Sequence, residues 1–307
     1  MQRLLVVYNP NSSQYIHVKD EVLSLLSNLE GYLIGKFTIE KTNFEANVAR
    51  LVKVLKDKDI VLSAGGDATA AIAANAIIKS GKDATLSVLP YGNFNDLART
   101  LGTMKYEDIF GKSAGPVQQN IHKLYPLDII VDGKHWRYAT CYVTIGMTGE
   151  AVEIFDQPEI RKTLQKGHKS SWRSYLDLVK WYFKNRHQKI FLPGLSINGV
   201  RQHPKTSDYA AVNGKSMCRV MKGGNDYLKP KVFRSMAAPL ANFWNLTVLM
   251  IKSIFHRVPG GETTGDVLEF THPTTIELQA EGEYQVFKNA KKIEIKKGKS
   301  CLKVIQN

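Results

Sequence analysis

The chain has 307 residues, 43% hydrophobic and 23% charged, a composition that allows two folded cores and excludes a disordered or fibrous protein. Its 42 Lys and Arg against 28 Asp and Glu leave a net charge of +14, which suits anionic partners in general, whether nucleic acid, anionic membrane or phosphorylated ligand. Three widely separated cysteines, Cys141, Cys218 and Cys301, exclude a disulfide framework and a zinc-type ligand spacing, and they suit a reducing compartment. Met1–Tyr8 is too short an apolar run for a signal peptide. The longest apolar tract, Met236 to Phe255, is interrupted by Pro239, Asn242, Asn245 and Lys252, so no membrane span is expected.

In chain order, Leu4–Tyr8 reads as a buried strand ended by the turn residues Asn9-Pro10-Asn11-Ser12-Ser13. Val18, Val22, Leu25, Leu26 and Leu29 follow helical spacing up to Gly31. A second strand is expected over Tyr32–Ile39. Thr42 and Glu45 then have capping-box spacing ahead of Val48, Leu51, Val52 and Leu55. The third strand, Ile60–Ser63, runs into Ala64-Gly65-Gly66-Asp67-Ala68-Thr69, and an alanine-rich helix follows from Ala70 to Ile78. A fourth strand, Thr85–Leu89, stops at Pro90. This alternation predicts parallel βαβ units, with ligands beyond the carboxyl ends of the strands, where the loops at Asn9, Gly65 and Pro90 lie.

Beyond Tyr125 the pattern changes. Asp132-Gly133, Asn198-Gly199 and Asn213-Gly214 are hairpin signals between β-rich runs, and Lys291–Ile305 alternates as two short strands. One helical stretch, Ser171–Lys184, interrupts this antiparallel half. The expected architecture is a Rossmann-like, three-layer α/β domain with a parallel sheet (residues 1–122, with 296–307 returning to it), followed by an antiparallel β-sandwich domain (residues 123–295).

Strand, double glycine, acid and hydroxyl, then helix, is an order with chemical content. Glycines let the backbone approach an anion, and the first N–H groups of the helix point at the same place. A plain strand-to-helix turn with Asp67 as N-cap is the alternative. Gly-Lys-Ser occurs at Gly111, Gly214 and Gly298, but Tyr106, Tyr209 and Ile293 stand where a P-loop needs glycine. A dinucleotide G-x-G-x-x-G and a helical H-x-x-x-H are also absent.

A second informative stretch is Pro90-Tyr91-Gly92-Asn93-Phe94-Asn95-Asp96-Leu97-Ala98-Arg99. The order Asn9-Pro10-x-Ser12, Gly65-Gly66-Asp67-x-Thr69, Pro90-x-Gly92-x-x-Asn95-Asp96-x-Ala98-Arg99, each after a strand, resembles the diacylglycerol kinase catalytic-domain family. That family includes bacterial lipid kinases and sphingosine kinases and is distantly related to NAD kinases. Ile145-Gly146 with Glu150-Ala151-Val152 resembles the family's segment opening its second domain, and Glu281-Gly282-Glu283 resembles its Asp-Gly-Glu motif.

The resemblance implies an ATP- and Mg²⁺-dependent lipid kinase that phosphorylates a hydroxyl of diacylglycerol or a related long-chain lipid. In it Gly65 and Gly66 would cradle phosphates, and Thr69 would donate its hydroxyl to one. Asn9 and Ser12 would close the other side of the nucleotide pocket. Asn95 and Asp96, with Gly92 in their loop, would hold the nucleotide. Asp67 would bind Mg²⁺ or act as base, and Glu283 is the other candidate base.

Several positions depart from the pattern: Ala68 and Phe94 stand where the family has glycine, Asn93 replaces its threonine, and Glu281 replaces its aspartate. The Asp-Gly expected after Pro239-Leu240-Ala241 is missing, with Asn242-Phe243 nearby. These departures keep two other readings open: a catalytically weak lipid- or nucleotide-binding protein, and an NAD kinase-like phosphotransferase, although Asn95-Asp96 differs from the Asn-Glu usual there. The expected partner is a lipid at an anionic membrane surface, met by Trp172, Trp181, Tyr182 and Phe183 among the basic residues of 166–186, with no nucleic acid. The protein is expected to be cytoplasmic and peripheral to the membrane, with homodimerisation left open.

Overall fold

The computed structural model describes residues 1–10, 12, 14, 19–20, 23–24, 26–27, 29, 31–92, 94–110, 120–146, 192–217, 221–239, 244–245, 247–248, 260–298 and 300–307. The helix expected over Ser171–Lys184, the aromatic and basic segment 166–186, Glu150-Ala151-Val152, Asn93, and Asn242-Phe243 lie outside the described residues. The chain divides into two compact units, Met1–Pro126 with Lys299–Asn307, and Leu127–Gly298.

The first unit is built on a six-stranded sheet. Strands β1 (Gln2–Tyr8), β2 (Tyr32–Thr38), β3 (Ile60–Gly65) and β4 (Thr85–Pro90) pair in parallel in the order β2-β1-β3-β4. Every residue of β3 is buried, which is why it reads as an unbroken apolar run: layers cover both faces of the sheet. On one face Leu4, Val6, Ile60 and Leu62 pack with Leu26, Leu29, Ile109 and Phe110.

Helix α1 (Phe44–Val54) packs on α2 (Asp67–Ser80), which also lies against β3. The N-cap of α1 is Asn43, whose side-chain oxygen accepts the Ala46 N–H at 2.8 Å. Thr42, the expected cap, instead accepts a hydrogen bond from the Asn47 side chain at 3.0 Å. Two short helices follow β4, α3 (Asp96–Leu101) and α4 (Glu107–Phe110), and then β5 (Ile121–Leu124). The last strand closes the sheet from the far end of the chain and lies between β4 (parallel) and β5 (antiparallel). The sheet is therefore mixed at one edge.

The second unit holds one continuous ten-stranded antiparallel sheet. Its strands are β6 (Leu127–Val131), β7 (Lys134–Ala139), β8 (Tyr142–Gly146), β9 (Leu195–Ile197), β10 (Val200–Arg201), β11 (Asp208–Val212), β14 (Phe233–Ala238), β15 (Gly261–Thr263), β16 (Gly265–Ala280) and β17 (Glu283–Lys297). The short pair β12 (Ser216–Met217) and β13 (Met221–Lys222) stands apart from it. One core gathers Ile129, Ile145, Tyr209, Phe233, Leu268, Ile276 and Ile293 from both halves of the sheet, so the sandwich is a single sheet closing over its own core.

Asp132-Gly133 and Asn198-Gly199 turn hairpins with positive φ at both residues, the geometry of a type I′ turn. Asn213-Gly214 does not. Both of its N–H groups bind the Cys141 carbonyl, at 2.7 and 2.9 Å, and neither residue has positive φ. Among the described residues no helix is long and apolar enough to cross a membrane.

The final strand, β18 (Leu302–Ile305), buries Leu302 and Val304 completely. Together with Ile305, these side chains contribute about 5–9 kcal/mol of apolar burial, comparable to a whole domain's stability. Truncation after Gly298 should therefore prevent the first unit from folding cooperatively. Calorimetry of the truncated chain checks this; an unchanged unfolding profile would contradict it.

A second expectation concerns Lys297 at the end of β17. Its ammonium donates to the carbonyls of Asp226 and Lys229. Burial pushes its pKa down to about 7, against the opposing pull of the Asp226 carboxylate. A lysine depressed in the folded state holds fewer protons there than in the unfolded chain between the two pKa values. The Lys297 contribution should make stability rise as pH goes from about 7 toward 10.5, and it should vanish in Lys297→Met. Urea unfolding of both proteins across that range measures it.

Candidate active site

Strand β1 has β2 on one side and β3 on the other, so successive crossovers leave it in opposite directions. Such a switch point leaves a crevice at the carboxyl ends of the strands, the usual ligand position in open α/β sheets. Three loops meet here, after β1 (Asn9–Ser12), β3 (Gly65–Asp67) and β4 (Tyr91–Asn95).

Backbone and side-chain bonds join the three loops to one another. The Tyr91 N–H bonds to the Gly65 carbonyl at 2.9 Å. The Tyr91 carbonyl accepts from Ser12 Oγ at 2.6 Å and from the Gln14 N–H at 3.2 Å. Gly66 and Gly92 touch through their main chains: a Cβ built on Gly92 would stand 2.3 Å from the Gly66 Cα. Gly65 is needed for another reason, since its Cβ would stand 2.4 Å from Thr69 Oγ1. Asn95 closes its own loop into a ring, accepting the Gly92 N–H and donating to the Gly92 carbonyl, both at 2.8 Å. It does so in the left-handed region (φ 56°), which asparagine tolerates better than most residues.

Asp67 is the hinge of the arrangement. It is the first residue of α2, and Gly66 is that helix's N-cap. Its carboxylate reaches across to the start of α3, where Oδ2 accepts the Asn95 N–H at 2.8 Å and Oδ1 accepts the Asp96 N–H at 2.7 Å. Asp67 thus caps the helix that follows it rather than its own, a favourable place for a negative charge. Gly66 has no side chain with which to close the first turn of α2, and the first N–H groups of a helix have no partner within it. That N-terminus faces the loop cluster, and it fits a phosphate.

The other expected residues lie as follows. Asn9 and Asp67 are half-buried, Ser12 and Gly92 are buried, and Asp96 is 1% exposed at the first position of α3. Thr69 is also 1% exposed, and its hydroxyl has no partner among the described residues. It lies under Gly65, sealed from the surface. Ala68 and Phe94 are half-buried.

Glu283 belongs to the other unit, half-buried beside the β16–β17 turn, whose two residues, Glu281 and Gly282, both have positive φ. The deeply held acid there is Glu281, 3% exposed, which accepts from Thr140 Oγ1 and the Cys141 N–H. Spacing alone gave no sign of this, because Thr140 and Glu281 are far apart in the chain. Ile145-Gly146 ends β8, inside the second unit; Gly146 is obligatory, since a Cβ would stand 2.0 Å from the Ser207 carbonyl oxygen.

Among the described residues no group of three or more His, Cys, Asp or Glu side chains could hold a metal ion unaided. Mg²⁺ carried in by nucleotide phosphates needs only one or two carboxylates. Asp67 is the carboxylate of the loop cluster that could supply one, beside the N–H groups of Asn95, Asp96 and Leu97 that it already accepts.

Residues 3–123 match the model of the diacylglycerol kinase catalytic domain. A diacylglycerol kinase of Bacillus subtilis (strain 168) is 30% identical over 168 residues, 53% of this chain and 52% of that protein. The chain thus matches about half the length of that relative. A solved structure of a candidate diacylglycerol kinase from Bacillus anthracis str. Sterne covers 100% of this chain and 97% of its own, with a TM-score of 0.64 at 13% identity. A second structure of a diacylglycerol kinase from the same organism gives 0.61 at 13% identity over the same shares of each chain. At such identities the likeness shows the two-unit fold. The chain shares the fold of those structures, and the sequence match to the diacylglycerol kinase catalytic domain spans residues 3–123.

Asp67→Asn offers one oxygen where two are used, leaving Asn95 N–H or Asp96 N–H facing an amide donor. The expected loss is about 1–3 kcal/mol of first-unit stability, read by thermal unfolding; an unchanged midpoint would remove Asp67 from its bracing role. Gly92→Ala should be at least as damaging, because the clashing atom belongs to the Gly66 backbone.

Proposed function

We propose that the protein is an ATP- and Mg²⁺-dependent lipid kinase that transfers the γ-phosphoryl group to a hydroxyl of diacylglycerol or a related long-chain lipid. The observation that carries this reading is the glycine-capped N-terminus of α2, held at the switch point by the Asp67 bridge to α3. The match of residues 3–123 supports it, as does the relative described as a diacylglycerol kinase.

In this reading the α2 N–H groups and Gly66 bind phosphate oxygens. Asn9 and Ser12 bound the pocket on one side, and the Gly92–Asp96 loop bounds it on the other. Bound Mg·ATP supplies the phosphoryl group and the charge neutralisation that phosphoryl transfer demands. Asp67 anchors the ion while bracing the loops. Asp67 and Glu283 remain the two candidates for the group that takes the proton from the acceptor hydroxyl. The lipid is met at an anionic membrane surface, which the net charge of +14 favours.

One observation favours the alternative of a nucleotide- or lipid-binding protein without turnover: the Thr69 hydroxyl, expected on a phosphate, is sealed beneath Gly65. Labelled ATP with extracted total lipid, against a no-lipid control, separates the two. The kinase reading predicts label in the lipid phase, and a loss of about a hundredfold or more in Glu283→Gln with ATP binding kept. ATP binding by calorimetry without any transfer to lipid would replace the kinase with the binding protein.

A further inference from the structure

The second unit has a groove of about 560 Å³ lined by Gly194, Ser196, Arg201, Glu269, Thr271 and Lys291, with Phe270 at its base and Lys292 beside Lys291. None of these residues belongs to the site described above. The sheet itself makes the groove. Arg201 pairs with Ser196, Ser196 with Glu269, and Glu269 with Lys292, so one transverse row of side chains crosses β10, β9, β16 and β17. Beyond Glu269 the β16–β17 ladder shifts register: pairing resumes only at Thr274 with Ala290. The surplus residues of β16 bulge opposite Lys291, and bulges of this kind re-aim side chains next to binding sites.

The walls are held rigidly. The Asp132 carboxylate accepts the N–H groups of both Lys291 and Lys292, at 3.0 and 2.9 Å, which fixes the backbone of the lysine pair. The Gly194 carbonyl accepts from Thr271 Oγ1 and from the Thr271 N–H, at 3.0 and 3.3 Å. Gly194 itself sits at φ 67°, and a Cβ there would stand 2.3 Å from Thr271 Oγ1, so no larger residue fits.

Three cations and one acid converge on the groove. The Lys292 ammonium is engaged by Glu294 at 3.1 Å, while Arg201 and Lys291 form no ion pair among the described residues. A guanidinium and an ammonium lining one open groove are the groups that bind a phosphate, and the guanidinium can bind it with two parallel bonds. Glu269, in the same row, repels a bare anion but accepts a hydrogen bond from a hydroxyl.

We propose that this groove binds a phosphate ester bearing hydroxyl groups, the chemistry shared by a glycerol-type phospholipid head and the same head free in solution. Arg201 and Lys291 hold the phosphate, and Glu269 with Ser196 holds the hydroxyls. The proposal is independent of the kinase reading.

The test is calorimetric titration of the full chain with glycerol 3-phosphate and with inorganic phosphate, and co-sedimentation with vesicles of phosphatidylglycerol or of phosphatidylcholine alone. Saturable binding of glycerol 3-phosphate is expected, tighter than that of inorganic phosphate. It should weaken at least about tenfold in the double variant Arg201→Ala, Lys291→Ala. Glu269→Gln should remove the preference for the hydroxylated ester. Vesicle binding that fails in the same double variant identifies the lipid head as the source; ester binding without vesicle binding identifies the soluble form. Absence of saturable binding, or binding unchanged in the correctly folded double variant, overturns the proposal.

Discussion

The Asp67 carboxylate receives the N–H groups of Asn95 and Asp96 at 2.8 and 2.7 Å, and the loop layer of the first unit is organised by that junction. The carboxylate starts one helix and caps the next, so the turn after β3 and the loop after β4 cannot move apart without exposing two donors. Tyr91 adds the loop after β1 through its carbonyl. Gly66 against Gly92 sets how closely the loops approach, because main chain meets main chain with no side chain between. An acid, a carbonyl and two glycines thus present one helix N-terminus in a fixed orientation. Preorganised donors suit a charged ligand better than mobile ones, since nothing has to be ordered when the charge arrives.

The second unit solves a different problem with long strands. β16 and β17 run far enough to belong to both halves of one sheet, and the register shift between Glu269 and Ile276 lets the pair bend. Buried polar groups then pin individual turns. Glu281 holds the Thr140-Cys141 corner, and the Asp266 carboxylate accepts from Tyr209 at 2.7 Å and from Asn198 and Thr263 at 3.0 Å. Burial and the neighbouring Asp266 charge both push the Tyr209 phenol well above its usual range, so it stays a neutral donor. Polar networks of this kind are costly unless satisfied, and satisfied they specify one arrangement of strands.

Strands β1, β3 and β4 were legible because both their faces are largely buried, which leaves apolar runs such as Ile60–Leu62; β2, at the sheet edge, is only partly buried. The Asp132-Gly133 and Asn198-Gly199 turns were legible because type I′ geometry demands positive φ. Asn213-Gly214 carried the same signal and failed it, because the Cys141 carbonyl offers its N–H groups a partner across the sheet. The cap of α1 moved from Thr42 to Asn43 because either side chain can serve and only tertiary position decides. In the loop cluster, the residue types and their order marked three loops that the fold brings together. The contacts between loops were invisible, since each joins residues distant in sequence: Ser12 to Tyr91, Gly66 to Gly92, Asp67 to Asn95. Glu281 and Glu283 are two residues apart but differ in environment, because Glu281 lies in the positive-φ turn and Glu283 opens β17, a difference that strand alternation does not reveal.

Backbone hydrogen exchange of the first unit, with and without Mg·ATP, tests the central claim most directly. The account predicts that the amides of Asn95 and Asp96 are protected already without nucleotide, because Asp67 holds them. It also predicts that the amides of Asp67, Ala68 and Thr69 slow when Mg·ATP is added. Fast exchange at Asn95 and Asp96, or no change at the start of α2 at saturating nucleotide, would contradict it.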